Sequence, residues 1–265
     1  MSIHRSITIA TLLAAAGTTA AFASLSAQGR ADFQWEKSLP AGSRVSVHDV
    51  NGNITVSPSS SGRVEITGTK HGSRAADGLT ALVEETSDGI VVCVVWKDSD
   101  DSCNERGYHS HGHDNWNDAS MDLDLRVPAN LEVAASSVSG DVRIEGAQGR
   151  VRASSVSGDI RLSRLRASSV SANSVSGDVE ASIDALTGSG DLTFKTVSGD
   201  VTLELPRDVD ADLSMSSVSG ELNSDFQMTL NGRMDRRHLE ARIGRGGRDL
   251  DVSTVSGDVR LKAAK

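Results

Sequence analysis

Three histidines and an acid crowd the stretch His109-Ser110-His111-Gly112-His113-Asp114. In an extended segment, residues i, i+2 and i+4 project to one side. The imidazoles of His109, His111 and His113 and the carboxylate of Asp114 would then form a ligand set suited to Zn, Ni or Cu. Asp98, Asp100 and Asp101 stand nearby in sequence. Against this, the segment is polar throughout, and ordering it around a metal costs conformational entropy. Read blandly, it is a solvated loop.

A second set of acids each follows a glycine: Gly140-Asp141, Gly158-Asp159, Gly177-Asp178, Gly199-Asp200, Gly220-Glu221 and Gly257-Asp258. If these six turns stack at strand spacing, about 5 Å, the carboxylates repel one another and Ca²⁺ would relieve the strain. The Gly-Gly-x-Gly-x-Asp pattern of calcium-binding β-rolls is absent, however. Arg143, Arg161 and Arg260 each stand two positions after one of these acids and can offset the charge. The preferred role for these glycines and acids is structural, with Gly making the corner and Asp holding it.

Catalysis finds little support. No Gly-x-Ser-x-Gly elbow occurs, and Gly188-Ser189-Gly190 lacks its spacing. No Gly-x-x-x-x-Gly-Lys phosphate loop occurs either. Polysaccharide-cleaving β-helices use aromatic grooves and clustered acids or bases. Aromatics are 3% of this chain, and only Phe194 falls on the repeat face. The net charge of -9 argues against a nucleic-acid partner. The basic run Arg233 to Arg248 is interleaved with Asp235 and Glu240.

The elements that must position these residues are short strands. Val-Ser-Gly recurs with its glycines at 140, 158, 177, 199 and 220, steps of 18, 19, 22 and 21, then at 257, a step of 37. Between them Gly149 and Gly190 begin the same apolar-polar-apolar pattern on a nine-residue beat. The double beat predicts an all-β, β-solenoid-like stack with about two strands per 18–22-residue coil. An antiparallel meander would explain the short beat but not the alternation of motif and non-motif turns. The step of 37 reads as two coils with one motif lost near His238, or as an insertion over residues 223–248 before the last coil. Ser137, Ser155, Ser174, Thr196, Ser217 and Thr254 precede each Val-Ser-Gly and predict a hydroxyl ladder.

Upstream, residues 28–130 read as further short strands continuous with the repeat at 131–262. They include a hairpin from Thr80 to Trp96 and a polar loop at 97–120. His4 and Arg5 precede an apolar run to Ala23, which reads as a signal peptide cleaved after 23 or as late as 27. No later stretch is apolar enough to span a membrane. Export to the periplasm or cell surface is the expectation. There, Cys93 and Cys103 are a disulfide candidate, with two free thiols the alternative.

The Val-Ser-Gly-Asp turns, the Asn51-Gly52-Asn53-Ile54-Thr55-Val56 start, Leu125-Arg126-Val127-Pro128 and the ending Thr254 to Leu261 together carry a resemblance. Over roughly 42 to 262 the chain resembles exported bacterial β-strand-repeat proteins of unknown function, often labelled as candidate adhesins. The resemblance implies no catalytic residues, and the His-rich segment is not part of it. The expected function is a noncatalytic structural or interaction module with an unknown envelope or surface partner. A metal-binding envelope protein is the alternative, and a polysaccharide-active enzyme the third reading.

Overall fold

A computed structural model describes residues 31–72, 74–97, 102–104, 107–109, 119–234 and 237–264. The signal-peptide segment and Asp98, Asp100, Asp101, His111, His113 and Asp114 lie outside the described residues. Residues 31–265 form one compact unit. Its described part is all-β apart from one 3₁₀ turn, Arg74–Gly78.

Two large sheets face each other across the main core, and Val91, Cys93 and Val95 form a small second cluster apart from it, with Leu82 and Cys103. One holds ten strands in the spatial order Phe33–Lys37, Val64–Gly72, Ala119–Val127, Ile54–Pro58, Val142–Glu145, Ile160–Leu165, Val179–Ile183, Val201–Leu205, Val259–Ala263 and Leu222–Ser224. The other holds eleven: Met228–Met234, His238–Ile243, Ala211–Ser219, Asp249–Ser256, Leu192–Lys195, Ser169–Ser176, Arg150–Ser157, Glu132–Ser139, Arg44–Asn51, Gly89–Trp96 and Leu79–Thr86.

Pairing is parallel from Ala119–Val127 to Leu222–Ser224 in the first sheet. It is parallel from Gly89–Trp96 to Ala211–Ser219 in the second. Each motif turn carries the chain from the second sheet to the first. Like therefore stacks on like: Val142, Ile160, Val179, Val201 and Val259 form one inward column, all 0% exposed. Each such side chain contributes roughly 1.5–3 kcal/mol on burial. One repeat alone buries too few of them, so repeats must stack.

The two ends depart from chain order. The last motif does not follow the coil at 211–224. It inserts before it: Val259–Ala263 lies between Val201–Leu205 and Leu222–Ser224, and Asp249–Ser256 between Leu192–Lys195 and Ala211–Ser219. The 37-residue step therefore hides no second coil with a lost motif. Met228–Met234 and His238–Ile243 are instead an antiparallel pair laid on Ala211–Ser219. At the other end, Arg44–Asn51 and Ile54–Pro58 form a complete repeat. Residues 64–127 loop away from it and return as the layer beyond. There Phe33–Lys37, Val64–Gly72 and Leu79–Thr86 pair antiparallel. The polar stretch at 97–120 is not all loop, because Ser102–Asn104 and Gly107–His109 pair as a small hairpin.

Candidate functional site

The repeating residues meet along one edge, where the second sheet turns into the first. At each turn the hydroxyl before Val-Ser-Gly is nearly sealed, between 1% and 5% exposed. It does not bond to the next hydroxyl. It donates to a glycine carbonyl of the neighbouring repeat: Ser155 to Gly140 at 3.0 Å, Ser174 to Gly158 at 3.1 Å and Thr196 to Gly177 at 2.9 Å. Thr254 reaches Gly199 at 3.0 Å, Ser217 reaches Gly257 at 2.9 Å and Ser137 reaches Gly52 at 3.2 Å. The expected ladder thus runs from hydroxyl to carbonyl.

The glycines are required by that same closeness. Gly140 and Gly158 do not adopt positive φ. A Cβ on them would lie 1.9 and 2.2 Å from the carbonyl oxygens of Gly52 and Gly140. Repeats could not approach to hydrogen-bonding distance past a side chain.

The acids also act between repeats, not within one corner. Asp141 Oδ1 accepts the backbone N–H of Asp159 at 2.9 Å, Asp159 that of Asp178 at 2.9 Å and Asp178 that of Asp200 at 2.8 Å. The series continues through Asp258 to Glu221; toward the other end Asn53 accepts from Asp141 at 3.0 Å and donates its own N–H to Asp122 Oδ1 at 2.8 Å. Arg143 pairs with Asp141 at 2.6 Å, Arg161 with Asp159 at 2.8 Å, and Arg260 with Asp200 and Asp258 at 2.7 and 2.5 Å. The N–H of Asp258 and the Arg260 guanidinium hold the Asp200 carboxyl below its usual range. Among the described residues, no three His, Cys, Asp or Glu side chains converge as a metal site.

What this edge turns outward is a valine and a serine at each turn. Val138, Val156, Val175, Val197, Val255 and Val218 lie in that stacking order, each 45–55% exposed. They account for six of the seven large apolar side chains that are exposed among the described residues.

Of the histidine segment only His109 lies among the described residues. Cys93 and Cys103 form a disulfide with their Cα atoms 5.8 Å apart. It ties the hairpin of Ser102–Asn104 and Gly107–His109 to the strand Gly89–Trp96. The backbone of His109 pairs with Ser102. His111, His113 and Asp114 lie outside the described residues.

Other clefts are shallower in chemistry. The opposite, non-motif edge has a cavity of about 540 Å³ lined by Asp184, Ser189, Asp208, Asp210 and Arg248. Two of its charges are already engaged. Asp210 takes both a side-chain pair and a backbone N–H from Arg245. Arg248, 7% exposed, donates to the carbonyls of Ser168, Gly188 and Gly190 and clasps successive loops. Arg242 and Arg245 pair with Asp212 and Asp210, so these two cations of the basic run are tied down by acids.

One residue is not singled out by the sequence pattern. Asp49 is 4% exposed, and burial pushes its carboxyl up to about 7. It stands opposite Ser137 in the pairing register, in the place of the ladder hydroxyl. Aligning Asp49-Val50-Asn51-Gly52-Asn53 with Ser137-Val138-Ser139-Gly140-Asp141 would have shown it. Its neighbour His48 is half-buried, which lowers its pKa.

The sequence profile of a family described as Toastrack DUF4097 matches residues 43–262. No curated protein matches the chain. Among solved structures, a candidate cell adhesion protein from Clostridium sporogenes ATCC 15579 is similar at TM-score 0.48 and 10% identity, over 88% of this chain and 99% of that one. A candidate adhesin from Bacteroides fragilis NCTC 9343 is similar at TM-score 0.32 and 12% identity, over 88% and 96%.

Proposed function

The chain belongs to the Toastrack DUF4097 family, and from that premise we propose that it is a noncatalytic interaction module of the cell envelope. Its repeat serves as a β-solenoid-like scaffold that offers a row of valines to a partner on the envelope or cell surface. The observation that carries this is a contrast within one motif. The hydroxyl before it, its glycines and its acids are occupied in joining repeats, while its valine is left about half exposed at every turn beside an exposed serine. Contiguous exposed apolar side chains in a soluble chain mark interaction surfaces. Export is supported by the expected signal peptide and by the disulfide. Among the described residues, no helix is long and apolar enough to cross a membrane.

The test replaces Val156, Val175 and Val197 with Lys and compares crosslinked capture from an intact envelope fraction. Captured partner should fall at least about tenfold while the free energy of urea unfolding stays within roughly 0.5 kcal/mol of wild type. Equal capture by both proteins, or turnover on a glycan panel, overturns the reading.

A second reading keeps the metal site of His109, His111, His113 and Asp114. The disulfide-tied hairpin favours it, because holding the backbone at His109 lowers the entropy cost of ordering the next few residues. Calorimetric titration with Zn²⁺ and Ni²⁺ should show binding that vanishes when the three histidines become Ala. No binding by wild type, or unchanged binding by the variant, ends it.

A further inference from the structure

The hydroxyl-to-carbonyl ladder is continued at its N-terminal end by an acid. Asp49 takes the register position of Ser137, and Gly52 takes that of Gly140. Beyond Gly52 the next acceptor is the carbonyl of Met121, at the start of the returning strand Ala119–Val127. The contact there repeats that of every motif turn: a Cβ on Gly52 would lie 2.3 Å from the Met121 carbonyl oxygen, with Asp49 Oδ2 2.6 Å away. The two oxygens therefore converge on one small, sealed space. Oδ1 of Asp49 accepts the N–H of Asn51 at 3.2 Å, whereas Oδ2 is buried with no partner. A carboxylate oxygen facing a carbonyl oxygen is repulsive. A carboxyl O–H facing it repeats the bond that Ser155, Ser174 and the other hydroxyls make.

We propose that Asp49 is a proton-operated latch that joins the returning layer at 119–127 to the first complete repeat. With the proton on, Oδ2 donates toward the Met121 carbonyl and the ladder is unbroken. When the proton leaves to solvent, two acceptors and a buried negative charge remain at the joint, and the layer loosens. Burial pushes the carboxyl up to about 7, against the backbone N–H groups of Asn51 and Val50, which favour the charged form. The charges around it do not cancel this. Asp122, on the same returning strand, repels it. His71, on Val64–Gly72, is engaged by Asp122 at 3.0 Å. His48 bonds Ser136 at 2.6 Å instead. The repeat on the other side presents Ser137, which is uncharged. An acid whose folded pKa is raised binds a proton that the unfolded chain has already released. Stability therefore falls as pH rises from the unfolded value of 3.8 to about 7, and levels off above that.

The test follows the thermal midpoint of the disulfide-intact chain from about pH 5 to about pH 8, with hydrogen exchange read on peptides covering 44–58 and 119–127. The wild-type midpoint should fall across that range. Exchange at 119–123, corrected for its intrinsic pH dependence, should rise at least about tenfold, since a displaced proton opens the joint in proportion. Asp49→Ser restores the ladder hydroxyl and should remove both changes. Asp49→Asn, which donates without titrating, should do the same if the Ser variant folds poorly. His71→Gln should leave the wild-type slope in place. A slope that survives both Asp49 variants overturns the latch, as does a slope that His71→Gln abolishes. Ca²⁺ that tightens the wild-type joint at pH 8 and not that of Asp49→Ser also overturns it, by placing a cation where the proton is proposed.

Discussion

The middle of the stack and its two ends use the same strands under different constraints. From 132 to 205 chain order is stacking order, and the hydroxyl before each motif and the acid that ends it reach a partner one repeat away. At the ends the order breaks. The C-terminal repeat slides between two earlier ones, and residues 64–127 leave the first repeat and return as its outer neighbour. The difference follows from what an end must do. A middle repeat is covered on both sides by copies of itself, so identical side chains suffice. An end repeat must stop the ladder; antiparallel strands do so at the N-terminal end of both sheets and at the C-terminal end of the second, whereas the first sheet stops on the short parallel strand Leu222–Ser224. The sealed acid Asp49 also falls at an end, where the neighbour is no longer a repeat.

The strongest way to break this contrast is to delete one repeat from each region. Excising residues 150–168 removes one middle repeat in register, because Arg150 pairs with Ser169. The shortened stack should still fold cooperatively. Removing residues 249–265 takes away a repeat with neighbours on both sides. It discards the sealed Leu250, Val252, Val259 and Leu261, at a cost on the order of 6 kcal/mol or more. The 211–224 repeat should not simply move down. Phe194, Val252 and Met215 stack as large, small, large, so Met215 placed directly on Phe194 would overpack. Limited proteolysis should cut within 211–243 in the truncated chain and not in the excised one. Protection of that segment after truncation would show that any motif edge accepts any other.

That contrast also explains what the sequence could disclose. The coil length, the inward Val142 and Ile160, and the occupied hydroxyls are local and recur, so spacing alone reveals them. Stacking order is not local. Gly199-Asp200 presents nearly the same backbone to Gly257-Asp258 as to Gly220-Glu221, and nothing in the motif says which arrives. The 37-residue step is therefore open, in sequence, to a lost repeat. Asp49 is legible only through the motif: it looks like an ordinary polar residue before a turn until Asp49-Val50-Asn51-Gly52-Asn53 is set against Ser137-Val138-Ser139-Gly140-Asp141, the register the strands adopt. The histidines are legible as a pattern, but their geometry depends on a segment whose His111, His113 and Asp114 lie outside the described residues.

A single glycine gives the next largest effect and separates crowding from backbone conformation. Gly158→Ala places a methyl 2.2 Å from the Gly140 carbonyl, and neither backbone can yield without opening the ladder. We expect a loss of about 3 kcal/mol in urea unfolding. Gly62 adopts φ 73° and has nothing near its Cβ position. Gly62→Ala should cost only about 1 kcal/mol, the penalty of a left-handed residue without crowding. If the two costs are equal, corner conformation and not repeat spacing is what fixes these glycines.

The smallest effect tests whether the acids of the motif serve as charges or as acceptors. Asp178 is the clearest position. Its Oδ1 accepts the Asp200 N–H, while the residue two along is Glu180, so the arginine found near Asp141, Asp159 and Asp258 is missing. The chain already contains the control, since Asn53 holds one step of the same ladder with an amide oxygen accepting the Asp141 N–H. Asp178→Asn keeps the acceptor and removes a charge from an acidic column, so it should change stability by less than about 0.5 kcal/mol. Asp178→Ala leaves the Asp200 N–H without its partner and should cost about 1 kcal/mol. Urea unfolding at low and high salt distinguishes the causes. A charge effect shrinks as salt screens it, whereas a lost acceptor costs the same at both. A large, salt-sensitive loss in Asp178→Asn would mean that the column depends on its carboxylates as charges, and a bound cation would then have to be sought along the whole edge.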